Sequence, residues 1–117
     1  MADSSILALE FPVDDIAVLS INDARKGANV LSRSVLDDLE QQLDALEKKP
    51  GLAGLIFRST KPGIFIAGAD LREFVADIDQ PAEQVIRVAQ RGQRLFARLS
   101  QCPFVTIAAI DGVCLGG

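Results

Sequence analysis

Apolar positions fall into short runs separated by polar, glycine- and proline-bearing stretches. Ile6, Leu7 and Leu9, then Ile16, Val18, Leu19 and Ile21, predict two short strands joined by a turn around Pro12, Asp14 and Asp15, a hairpin by pattern. The polar loop from Asn22 to Asn29 leads to Ser32 or Ser34 as helix cap. Beyond it Leu36, Leu39, Leu43 and Leu46 recur at helical spacing until Pro50-Gly51 ends the helix. The near-continuous run from Leu52 to Ser59 predicts a strand covered on both faces. Ile64 to Ala67 is a second short apolar piece, and Gly68-Ala69-Asp70 opens a short helix bearing Leu71, Phe74 and Val75. Val85, Val88, Ala89, Leu95, Phe96 and Leu99 mark a second long amphipathic helix from Ala82 to Gln101. Cys102-Pro103 stops it, Phe104 to Ile110 predicts a buried strand, and Asp111-Gly112 a turn into Val113 to Gly117. Strands alternating with helices give an α/β class. A chain finishing on an apolar strand, a turn and two glycines reads as the front part of a longer domain.

Composition narrows the chemistry. The 117 residues are 49% hydrophobic and 24% charged, material for one globular domain at most. Twelve Lys and Arg against 16 Asp and Glu give a net charge of -4, which offers no electrostatic footprint for nucleic acid or an anionic membrane surface. With no histidine, Ser-His-Asp and Cys-His sites are excluded. The two cysteines, Cys102 and Cys114, make neither a zinc site nor a disulfide framework, so no metal is expected. Cys114 reads as a packed thiol. No run reaches membrane-spanning length and the first eleven residues lack a signal-peptide pattern, so the expected location is cytoplasmic.

Two segments share one grammar, an apolar strand followed by a small-residue turn: Phe65-Ile66-Ala67-Gly68-Ala69-Asp70, and Ile107-Ala108-Ala109-Ile110-Asp111-Gly112-Val113-Cys114-Leu115-Gly116-Gly117. Taken singly, each also suits a plain helix start or a flexible break. Brought together, two such turns would point backbone N–H groups at one oxygen, the arrangement of an oxyanion hole.

In order and separation these segments, with Lys61-Pro62-Gly63 before the first and Asn29-Val30-Leu31-Ser32 ahead of the long helix, resemble the enoyl-CoA hydratase/isomerase (crotonase) superfamily. The Lys-Pro-Gly and Cys-Leu-Gly-Gly stretches look most like the hydratase portion of the multifunctional α subunit of fatty-acid oxidation. The resemblance implies that residues 1–117 form the N-terminal part of a crotonase-like ββα spiral, ending before the catalytic glutamates. The implied function is addition of water to trans-2-enoyl-CoA. The same fold also serves isomerases, thioester hydrolases and decarboxylases, and a non-catalytic acyl-CoA-binding or assembly module is the alternative from another class.

By motif position the resemblance places the two backbone donors at Ala67 and Gly117, with Gly68, Ala69 and Asp70 lining the acyl-CoA pocket. Arg25 and Lys26 fall in the loop that lies near the coenzyme A nucleotide in the family, where positive charge favours phosphates. The family's acid and base are two glutamates, one three residues past the position of Gly117; Glu73 and Glu83 read instead as helix-surface carboxylates. No tightly bound cofactor is implied, since the substrate carries the coenzyme A. Expected partners are an acyl-CoA and either further copies, as a trimer or hexamer, or a thiolase subunit.

Overall fold

The computed structural model describes residues 6–116. Strands β1 (Leu7–Val13) and β2 (Ile16–Ile21) form the antiparallel hairpin, with a register irregularity between Glu10 and Val13. Pro12, which has no N–H for the ladder, sits in that irregular stretch on the sheet's edge strand. Helix α1 (Arg33–Glu47) follows, and the cap is Ser32, whose hydroxyl accepts the Val35 N–H at 3.2 Å. Helix α1 then returns the chain to β3 (Gly54–Ser59), parallel to β2.

Strand β4 (Ile64–Ala67), the short helix α2 (Leu71–Ala76) and the long helix α3 (Ala82–Ser100) intervene before β5 (Val105–Ala109) and β6 (Val113–Leu115). The described strands make two sheets: β1-β2-β3-β5, and a parallel pair of β4 with β6.

The core lies where α1 covers the first sheet. Val35, Leu39, Leu43 and Leu46 repeat at three- and four-residue spacing and meet Leu7, Leu19, Ile21 and Leu55, all at most 1% exposed. Helix α3 contributes Leu95 to this buried set, with Phe96 and Leu99 partly buried against it, and two arginines add polar contacts to α1. Arg91 bonds Asp37 and Glu40 of α1 at 2.7 and 3.0 Å, and Arg98 bonds Asp44 and Glu47 at 2.9 and 2.8 Å. Each arginine thus sits between two carboxylates one helical turn apart.

Two sequence expectations fail here. The strand expected to be buried at 104–110 is exposed along the whole of β5, with Val105 at 63% and Ile107 at 52%. Its apolar pattern records the cover its side chains suit, whereas it is the edge of the described sheet and has only β3 beside it. Cys114, expected as a packed thiol, is exposed on β6 for the same want of cover. Among the described residues no helix is long and apolar enough to cross a membrane.

Candidate active site

Pairing of β4 with β6 brings the two small-residue turns together. Ala67 stands opposite Leu115, and each strand runs directly into a glycine with positive φ, Gly68 at 96° and Gly116 at 73°. A Cβ on Gly116 would lie 3.3 Å from the Gly68 Cα, so the turns touch backbone to backbone. Gly117 lies outside the described residues.

The buried hub of this region is Asn29, fully enclosed although it belongs to a polar loop. Its Nδ2 donates to the Phe65 carbonyl at 3.0 Å, to Ser59 Oγ at 2.9 Å and to the Ile21 carbonyl at 3.4 Å; its Oδ1 accepts the Asp23 N–H at 3.1 Å. One side chain therefore pins the loop, the ends of β2 and β3, and β4. Asn29→Ala removes all four of these bonds, and a loss on the order of 3 kcal/mol is expected from denaturant unfolding of the full-length protein. An unchanged midpoint would remove Asn29 as the clamp.

The Asn29 carbonyl decides which amides are available. It accepts the Ala67 N–H at 2.8 Å, and the Gly68 carbonyl in turn accepts the Leu31 N–H at 2.8 Å. An N–H already bonded to its own chain cannot meet a thioester oxygen without giving up that bond, so Ala67 could serve as a donor only by releasing Asn29. Two residues on, Ala69 is exposed and its N–H has no hydrogen-bond partner among the described residues. It stands just before the Asp70 cap of α2, where the chain turns from strand to helix.

Asp70 is buried and caps α2, accepting the N–H groups of Arg72 at 3.0 Å and Glu73 at 3.3 Å. Lys26 Nζ lies 2.6 Å from its Oδ2, and this ammonium, helped by the two cap bonds against the cost of burial, holds the Asp70 carboxyl below its ordinary range. Because the folded value is the lower one, the stabilisation is complete above the unfolded value of about 3.8 and is lost as the pH falls through the folded value. Lys26→Met is expected to begin its acid unfolding at higher pH than the parent, by circular dichroism; coincident acid limbs would count against the pair.

Arg25 is tied to Asp23 at 3.2 Å. Burial would raise the Asp23 carboxyl, but the hydrogen bonds from the Arg25 side chain and backbone outweigh it and hold the group low. Neither cation expected near phosphates is therefore unpaired, although the Arg25 side chain remains 66% exposed. Glu73 accepts the Arg33 N–H at 2.9 Å, a helix-end contact that agrees with its reading as a surface carboxylate.

An open cleft of about 400 Å³ gathers Arg25, Lys26, Ala67, Ala69, Asp70 and Arg72. On the other side of Ala69 lies an apolar groove of about 370 Å³ between α2 and α3, lined by Leu31, Phe74, Ile78, Val85 and Val88. Ala69 and Asp70 border both. The free amide thus sits at the boundary of a cation-flanked cleft and an apolar groove. Missing from the sequence expectations are Asn29 as the clamp and the distinction between the amides of Ala67 and Ala69.

Residues 14–117 match the family model described as Enoyl-CoA hydratase/isomerase. The chain is 37% identical over 118 residues to the fatty acid oxidation complex subunit alpha of Aliivibrio fischeri, and 36% identical over 117 residues to that of Vibrio vulnificus. All of this chain is covered in each case, but only 17% and 16% of those relatives' lengths. Among solved structures, enoyl-CoA hydratase from Bacillus anthracis superposes with a TM-score of 0.78 at 26% identity, over 92% of this chain and 40% of that one. An enoyl-CoA hydratase from Shewanella pealeana gives 0.82 at 21% identity, over 93% and 40%, a likeness of fold. The strand and helix order described above is that of the N-terminal portion of the crotonase fold, and the chain belongs to the enoyl-CoA hydratase/isomerase family.

Proposed function

We propose that the full-length protein containing this chain is an enoyl-CoA hydratase that adds water to trans-2-enoyl-CoA in fatty-acid oxidation. The observation that carries the reading is the unpartnered Ala69 N–H between a cation-flanked cleft and an apolar groove. The cleft suits the polar coenzyme A portion and the groove the acyl portion, which leaves the thioester carbonyl beside the amide. When water adds at the β-carbon, negative charge gathers on that carbonyl oxygen, and a donor aimed there lowers the barrier more than it stabilises the substrate. Small side chains at 67 to 69 let the thioester reach the main chain.

Gly117 is the proposed second donor. The acid and base are assigned to glutamates outside these 117 residues, since Glu73 is occupied with Arg33 and Glu83 faces solvent beside Arg87. The coenzyme A arrives with the substrate, and no further cofactor is required. A cytoplasmic location and assembly as a homo-oligomer or with a thiolase subunit belong to the same reading, and the naming of its relatives as subunits of a complex supports assembly.

The test is a titration of the full-length protein with crotonyl-CoA, following loss of the conjugated enoyl-thioester absorbance with and without NAD. Loss without NAD supports the hydratase, and NADH formed on adding NAD supports a fused dehydrogenase. Binding without loss would replace the reading with another crotonase reaction or a non-catalytic binding module.

A further inference from the structure

Helix α2 forms one wall of the apolar groove, yet hydrophobic burial does not hold it in place. None of its residues is buried, and Leu71, Phe74 and Val75, with Ile78 just beyond, are 61–73% exposed. At its start it is fixed by Asp70 and Lys26. Along its length the fixing comes from one residue, Arg33, the first of α1. The Arg33 backbone N–H, one of the donors a helix start leaves unpaired, goes to Glu73 Oε1 at 2.9 Å. Its guanidinium goes to Asp77 Oδ2 at the C-cap of α2. Arg33, Glu73 and Asp77 all border the groove, opposite Val85 and Val88 of α3.

α1 is anchored in the core by five buried side chains, so Arg33 works from a rigid base. Its guanidinium holds Asp77, and its main-chain N–H, which any non-proline residue would supply, holds Glu73, on a helix that has little else to hold it. The distance between α2 and α3, and hence the room between Phe74, Ile78 and Val85, depends on this grip.

We propose that the Arg33 guanidinium, acting through Asp77, is a positioning group that sets the acyl-chain length the groove accepts. The proposal rests on the groove being the acyl site. A chain that lies along the groove gains about fourfold in affinity per methylene buried against a fixed wall. It loses that gain when the wall moves away, and a four-carbon chain has far less of it to lose.

The experiment compares the full-length protein with Arg33→Gln and Asp77→Asn in two ways. The first is the ratio of kcat/KM for 2-decenoyl-CoA over crotonyl-CoA. The second is the ratio of Kd for the saturated decanoyl-CoA and butyryl-CoA, by calorimetry, which needs no turnover. Both variants are expected to lower the long-chain preference at least tenfold, chiefly through KM. Arg33→Lys is expected to restore part of it, and Arg33→Asp combined with Asp77→Arg to restore more than either change alone. Equal effects on long and short chains, or no change, would overturn the proposal while hydration of crotonyl-CoA by the parent left the hydratase reading intact. If the parent binds both thioesters with a chain-length preference but hydrates neither, that reading fails and the Kd ratios still decide the role of Arg33. A parent without chain-length preference would overturn the proposal directly.

Discussion

Gly112→Ala is expected to cost on the order of 4 kcal/mol or more, enough to unfold this part of the protein under mild conditions. A Cβ at Gly112 would stand 2.1 Å from the Gly63 carbonyl oxygen and 2.3 Å from its carbon. Those are backbone atoms, and the Gly63 carbonyl is itself held by the Val113 N–H at 3.0 Å, so it cannot swing aside without opening the β4–β6 ladder. The φ of 101° at Gly112 adds a strain that alanine cannot relieve. The damage reaches the site because that ladder juxtaposes Gly68 and Gly116. The expected readings are a lowered urea midpoint for the first unfolding transition of the full-length protein and loss of hydration with it. Gly92→Ala is the control. Gly92 lies inside α3 with nothing within 4 Å of the new methyl group, so a gain of about 1 kcal/mol is expected there. Equal midpoints for the two variants would contradict the close approach of the two turns.

Ala69→Pro is expected to lower kcat by about 10²–10³, the effect of removing one oxyanion donor, or about 2.7–4 kcal/mol of transition-state stabilisation. Proline takes away the N–H but also fixes φ at 69 and restricts Gly68 before it, while Ala69→Gly keeps the N–H and is expected to stay within a few-fold of the parent. Ala67→Pro makes the discriminating comparison. It deletes the bond to the Asn29 carbonyl, so its loss is expected first in stability, with thermal unfolding shifted down. Should proline at 69 disturb the entry to α2, an ester linkage in place of the Ala69 amide removes the same proton with little change of shape. A turnover drop at position 67 without loss of stability, and none at position 69, would return the donor role to Ala67.

Where local pattern sets the structure, the sequence was legible. The leucine spacing of α1, its serine cap at Ser32 or Ser34, the helix opened by Gly68-Ala69-Asp70 and the strand before each small-residue turn are decided within a few residues of chain. The meeting of the two turns was legible only because both were present, since neither turn alone names its neighbour. What escaped is decided by contacts across long separations. Asn29 reads as one more polar loop residue, yet its partners include Ser59 and Phe65, 30 and 36 residues away. The Ala67 amide is engaged or free according to that same residue, so motif position could not separate it from Ala69. Lys26 reads as a candidate phosphate contact until Asp70, 44 residues on, closes on it. The exposure of β5 and Cys114 escaped for a different reason: an apolar run states a preference for cover and does not supply it.

The bare outer edge of β5 bears on how this part of the protein behaves alone. Val105-Thr106-Ile107-Ala108-Ala109-Ile110 is uncharged, free of proline, rich in β-branched residues and open along one side of its backbone. Such an edge is a template on which another extended chain can add hydrogen bonds strand to strand, and natural sheets normally guard it with a charge, a bulge or a covering segment. Residues 1–117 produced by themselves should therefore scatter light increasingly with concentration and temperature, and Ile107→Lys, which places a charge on that edge strand, should suppress that growth.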